Sequence, residues 1–125
     1  MIIADVGNNR IRALSTNGTV TTVFGSTARS MREGAVAVAM MDAPVSVAVS
    51  PLDGTIYVLC QNNGAVYRYD VATQTASILY NGMMNGGAII VDNLGYLYFV
   101  DSAASRLRVV PPFCANTLPS LLSGN

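Results

Sequence analysis

Histidine, lysine and tryptophan are absent from these 125 residues, and cysteine and glutamate are scarce. Without histidine the chain lacks the commonest general base and the commonest neutral metal ligand. No Ser/His/Asp set and no Gly-x-Ser-x-Gly elbow for acyl transfer can be drawn from it. Cys60 and Cys114 are too few for a disulfide framework or a zinc site. They could form one bridge or stay as two buried thiols, so the redox compartment is left open. Seven arginines are balanced by seven acids, giving a formal net charge of zero. That removes the electrostatic case for a nucleic acid or an anionic membrane as partner. Long apolar runs are missing too, because Pro44, Pro51, Asn81-Gly82 and Gly86-Gly87 interrupt them, whereas a membrane span needs about 20 mostly apolar residues. Met1 leads into an apolar run that carries Asp5, unlike a signal peptide. A soluble chain of undefined compartment is expected, with no catalytic residue, metal or cofactor.

What is present is a repeat. Asp5-Val6-Gly7-Asn8-Asn9-Arg10-Ile11-Arg12 returns without a gap as Asp101-Ser102-Ala103-Ala104-Ser105-Arg106-Leu107-Arg108. A degraded copy, Cys60-Gln61-Asn62-Asn63-Gly64-Ala65-Val66-Tyr67, lies between them. Each copy follows one apolar run and precedes another, which is the signature of a β-hairpin turn. Half of the chain is apolar, enough to bury a core and to set disorder aside.

Around these turns the chain reads as short strands. Residues 2–25 form a three-strand meander, with Asn17-Gly18 supplying the positive φ of a tight turn. Residues 26–43 read as a connection with room for a short helix. Pro44 opens a second unit with strands at 45–49, 56–59, 66–69 and 75–80, and residues 81–87 are a glycine-rich connector. A third unit places strands at 88–91, 96–100 and 107–110. A fourth strand fits at 117–124, interrupted by Pro119 in the manner of an edge strand. Four-strand units recurring every 40 to 55 residues or so point to propeller blades rather than a helical solenoid.

The stretches IIADVGNNRIRALSTNGTVTTVFG, REGAVAVAMMDAPVSVAVSPLDGTIYV and GYLYFVDSAASRLRVV resemble NHL-repeat β-propeller blades. That family's pattern runs from a proline and a valine-rich strand through an Asp-Gly turn to an aspartate, a Gly-Asn-x-Arg-Ile core and a final strand ending in glycine. Residues 1–25 match the core closely. The third unit keeps Asp101 and Arg106 but has lost the Gly-Asn pair, and the second has Cys60 for the aspartate and Ala65 for the arginine. The resemblance implies an all-β fold of four-stranded antiparallel blades in an incomplete ring. Blade 1 would lack its first strand (1–25), followed by a connector (26–43), blade 2 (44–82) and blade 3 (87–124). Such rings usually close with about six blades. The chain would then be a fragment of a longer propeller, or two copies would associate to close one.

Asp5 with Arg10, and Asp101 with Arg106, stand at the two ends of a hairpin turn, where a cross-strand ion pair is expected. Because the motif recurs, it reads as a structural clasp, whereas a catalytic group would be unique. A binding rim is the functional counterpart: Asn8, Asn9, Asn62 and Asn63 on the turns, with Arg12, Arg68 and Arg108 as a stripe for an anion or acidic peptide. In this reading the connectors lie on the propeller face, apart from the turns. Asp53-Gly54 and Asp92-Asn93-Leu94-Gly95 lack the ligand spacing of a calcium loop and read as β-turns. The methionines of the connectors and the strand tyrosines read as packing. By analogy with the family, the chain is expected to be a non-catalytic scaffold for a protein or peptide. The alternatives are a piece of a lyase- or hydrolase-like propeller whose site lies in absent blades, and an RNA-binding propeller.

Overall fold

The computed structural model describes residues 1–83 and 85–112. Among them lie eleven strands and a single 3-10 turn, Val6–Asn8. The strands are β1 (Ile2–Asp5), β2 (Arg10–Leu14), β3 (Val20–Gly25), β4 (Gly34–Ala35), β5 (Pro44–Val49), β6 (Ile56–Cys60), β7 (Ala65–Asp70), β8 (Thr75–Tyr80), β9 (Gly86–Val91), β10 (Leu97–Asp101) and β11 (Arg106–Val110). They form three antiparallel sheets: β1-β2-β3, β4-β8-β7-β6-β5 and β11-β10-β9. The fold is all-β, as expected. None of the described helices is long and apolar enough to cross a membrane. Cys114 and the strand expected at 117–124 lie outside the described residues.

Alternation in the sequence becomes two cores. Along β7, Ala65, Tyr67 and Tyr69 face sheet 1 and meet Ile11 and Phe24. From the other face of sheet 2, Tyr57, Leu59 and Val66 meet Ile89, Leu97 and Phe99 of sheet 3. An aromatic pair crosses each junction. Phe24 stacks on Tyr69 with centroids 4.9 Å apart, and Tyr80 tilts against Phe99 at 5.5 Å. Met41 and Met83, from the two connectors, are buried in these cores.

The repetition is finer in the backbone than in the sequence. Between β2 and β3, Val23 is an extra residue where the register slips opposite Ile11 and Arg12. Leu79 is the extra residue at the equivalent place, opposite Val66 and Tyr67. A second slip recurs between β5 and β6, beside Cys60, and between β9 and β10, beside Asp101. An extra residue sharpens local twist and bend, so corresponding strands bend at corresponding places.

In the 26–43 connection the short helix for which there was room does not form. Its alanines and methionines allow a helix, but it holds a single turn at 35–39, closed by the Ala39 N–H on the Ala35 carbonyl. Before that turn, β4 pairs with the outer edge of β8, Gly34 opposite Ala76 and Ala35 opposite Thr75. Glu33 also accepts the Ile78 N–H. An open strand edge needs partners for its N–H and C=O groups, and this need outweighs the local preference of Ala and Met. Sheet 2 thus has five strands where four were expected.

Candidate functional site

The three clasp turns share one backbone. The fifth residue of each, Asn9, Gly64 and Ser105, has a positive φ of 54°, 61° and 50° respectively. Left-handed backbone suits glycine and is tolerated by asparagine. At Gly64 no alternative exists, because a Cβ would fall on the Met83 carbonyl oxygen. Asn9 uses its place differently. Its Oδ1 accepts the Ala43 N–H at 2.9 Å and its Nδ2 donates to the Thr27 carbonyl at 3.4 Å, tying sheet 1 to the connector.

Register pairs Asp5 with Arg10 and Asp101 with Arg106, as the hairpins require. The ion pairs themselves fall one step away. Arg12 Nε lies 3.3 Å from Asp5, and Arg108 Nη2 lies 3.4 Å from Asp101. A long side chain two residues along the facing strand reaches the carboxylate diagonally, while Asn8 Nδ2 donates to both Asp5 oxygens from the turn side. The hydrogen bonds from Asn8, aided by Arg12, hold the Asp5 carboxyl below its ordinary pKa of 3.8. Arg108 also lies over the Tyr80 ring, 4.9 Å from its centroid.

In sheet 2 the positions of Asp5 and Arg12 are taken by Cys60 and Tyr67, both fully buried. Burial pushes each of them up to a pKa of about 12, so a neutral pair replaces the charged one. The Tyr67 hydroxyl donates to the Met40 carbonyl at 2.8 Å, anchoring the connector over it. Cys60 is a free thiol.

The arginine stripe does not form. Arg68 is one residue off the frame, so it emerges on the opposite face of its strand, opposite Tyr57, and pairs with Asp70 at 3.5 Å. Tyr67, which the repeat spacing could have flagged, holds the equivalent position. The asparagines divide in the same way. Asn8 and Asn62 are exposed, with Asn62 bonded to Asp42 at 3.0 Å. Asn9 is buried and Asn63 half-buried, beside the Tyr67 hydroxyl.

The remaining turn carboxylates are occupied by backbone. Asp70 accepts the N–H groups of Ala72 and Thr73. Asp92 accepts those of Leu94 and Tyr96, and the Tyr98 hydroxyl at 3.0 Å. Asp53 accepts that of Thr55. Among the described residues no three His, Cys, Asp or Glu side chains come together as a metal site.

Connectors and clasp turns share a rim rather than lying apart. Asn9 holds Thr27 and Ala43, Asn62 holds Asp42, and the Gly64 carbonyl accepts the Met83 N–H. Two shallow clefts open there. Gln61, Asn62, Met83 and Asn85 line one of about 380 Å³, and Gly82, Asp101, Ala103 and Ala104 line another of about 210 Å³.

No family model matches the sequence, and no curated protein matches it. Among solved structures the chain is similar to a structural-genomics protein of unknown function from Bacteroides thetaiotaomicron VPI-5482, with a TM-score of 0.75 at 15% identity. The match covers 86% of this chain and 31% of that one. This likeness is one of fold.

Proposed function

We propose that the chain is part of an NHL-type β-propeller, each sheet a blade, and that it is a non-catalytic platform for a protein or peptide. The blade reading is supported by the recurring slips in register and by the left-handed residue at the fifth position of every clasp. The binding reading is carried by the rim, where exposed turn tips and a connector line two adjoining shallow clefts. Those clefts expose amides, methyl groups and main chain, the adaptable chemistry of peptide contacts. The carboxylates nearby are already engaged, Asp101 by Arg108 and Asp42 by Asn62.

The test is a selection of peptides from a displayed library on the purified chain, followed by amide-exchange mapping of the winners. Protection is expected at 61–62, 82–85 and 101–104, and Asn62→Ala should weaken binding about tenfold, the loss expected for a contact worth roughly 1.4 kcal/mol. Winners that protect only other surfaces, or a selection yielding none, would overturn the rim as the binding site.

A further inference from the structure

The junction between sheets 2 and 3 has two unlike sides. Sheet 2 contributes an apolar face in which Leu59 and Val66 are fully buried. Sheet 3 contributes Leu97 and Phe99, together with the paired Asp101 and Arg108, whose carboxylate is sunk beneath sheet 2. The molecule's two outward faces repeat these two sides. On sheet 3, Val100 and Leu107 occupy the positions of Leu59 and Val66, yet they are 38% and 63% exposed. Ile90 and Val109, on the same face, are exposed as well. On sheet 1, Ile3, Asp5 and Arg12 occupy the positions of Val58, Cys60 and Tyr67, which in sheet 2 are covered. Their ion pair is internally neutralised and half-exposed, as the pair of sheet 3 would be without sheet 2 over it.

One outward face therefore has the form of the covering side of a junction, and the other has the form of the side that is covered. An apolar patch of this kind marks an interaction surface, and the chain itself carries its complement. We propose that the outward face of sheet 3 receives the outward face of sheet 1 of a second copy of this chain, head to tail. Contact of this heterologous type closes into a ring if the rotation permits and otherwise extends. Burying Asp5 and Arg12 there leaves no bare charge, since the two neutralise each other. The inference rests on equivalent positions in the repeat and stands apart from the peptide-binding rim.

Sedimentation across micromolar to millimolar concentrations tests it. The wild-type chain is expected to exceed its monomer mass of 13.1 kDa, with an even stoichiometry if the ring closes at two copies. Leu107→Asp and Ile3→Asp should each weaken association about tenfold or more, the effect of a central apolar contact. An equimolar mixture of the two should regain one junction and re-associate, because each retains the face that the other has lost. Val109→Asp and Arg12→Glu, on the same two outward faces, replace either variant if circular dichroism shows it unfolded. A wild-type chain that stays monomeric throughout overturns the proposal. So does an Ile3→Asp or Arg12→Glu chain that associates as well as wild type, which would mean that sheet 1 takes no part.

Discussion

Where Arg12 and Arg108 stand in the outer sheets, Tyr67 stands in the middle one, and Cys60 stands where they have aspartate. Sheet 2 is covered on both faces, and Cys60 and Tyr67 lie where no solvent reaches them. There a carboxylate would have to be paired in full, and the neutral pair avoids that need. Restoring the charge piecemeal should therefore be costly. Cys60→Asp is expected to lower stability by about 3 kcal/mol or more, the penalty for burying an unpaired charge. Adding Tyr67→Arg should recover part of that loss, so the double variant should be more stable than the sum of the two single changes predicts. Urea midpoints of the four chains measure the coupling. A Cys60→Asp variant as stable as wild type would show that the site is open enough to hydrate. The sequence made the hairpin pairing of Asp5 with Arg10 legible, because register alone places them opposite. It left the diagonal partner unread, since that choice depends on the reach of Arg12 and on Asn8 occupying the turn side of the carboxylate.

Strands and turns were readable from alternation and turn chemistry, and in the 26–43 connection, which had room for a short helix, an exposed sheet edge drew a short strand instead. The clasp itself was visible as a repeated string, but not its one shared constraint, the left-handed fifth residue. Asparagine, glycine and serine have little in common until the backbone angle is known. Of the three, Ser105 fits that angle worst. Ser105→Gly should stabilise the chain by about 0.5–1 kcal/mol, the strain relieved exceeding the added chain entropy. Gly64→Ala should destabilise it by roughly 3 kcal/mol, through the same angle and the collision with Met83. Thermal melts of the two single variants should move in opposite directions. The turns also set an acid limit. Asn8 lowers Asp5, and the Thr73 and Ala72 N–H groups lower Asp70. At Asp92 and Asp53 burial opposes the shift, but hydrogen bonds chiefly from Tyr96 and Tyr98, and from Thr55 and Ser50, still leave each below 3.8. A depressed folded-state value means stability that is present in full above the unfolded value of about 3.8 and lost as pH falls through the folded one. The urea midpoint should hold steady near neutrality and decline below about pH 4, more gently in Asp92→Asn. A midpoint independent of pH in that range would show that these contacts are equally strong with the carboxyls protonated.

Across the whole molecule, stability should be graded along the series of sheets. Among the described residues of one copy, sheet 2 packs on a neighbour at each face, while sheets 1 and 3 each pack on sheet 2, so the two cores meet across the strands of the middle sheet. In chains built of stacked units that touch only their neighbours, stability approximates a sum of unit and junction terms, and local opening follows the weaker junctions. Sheet 1 is held by the Phe24 stack on Tyr69, by Ile11 and by the Asn9 bonds to the connector. Phe24→Ala removes the largest of these and should cost about 3–5 kcal/mol at that junction. Amide exchange should then quicken in β1, β2 and β3, while β9, β10 and β11, packed on the opposite face of sheet 2, keep most of their protection. Backbone amides of β6 and β7 should remain the slowest to exchange, because those strands are interior to the sheet and covered on both sides. Uniform acceleration in all three sheets would mean instead that the chain unfolds as one cooperative block, and that the junctions are coupled more tightly than packing through a shared sheet implies.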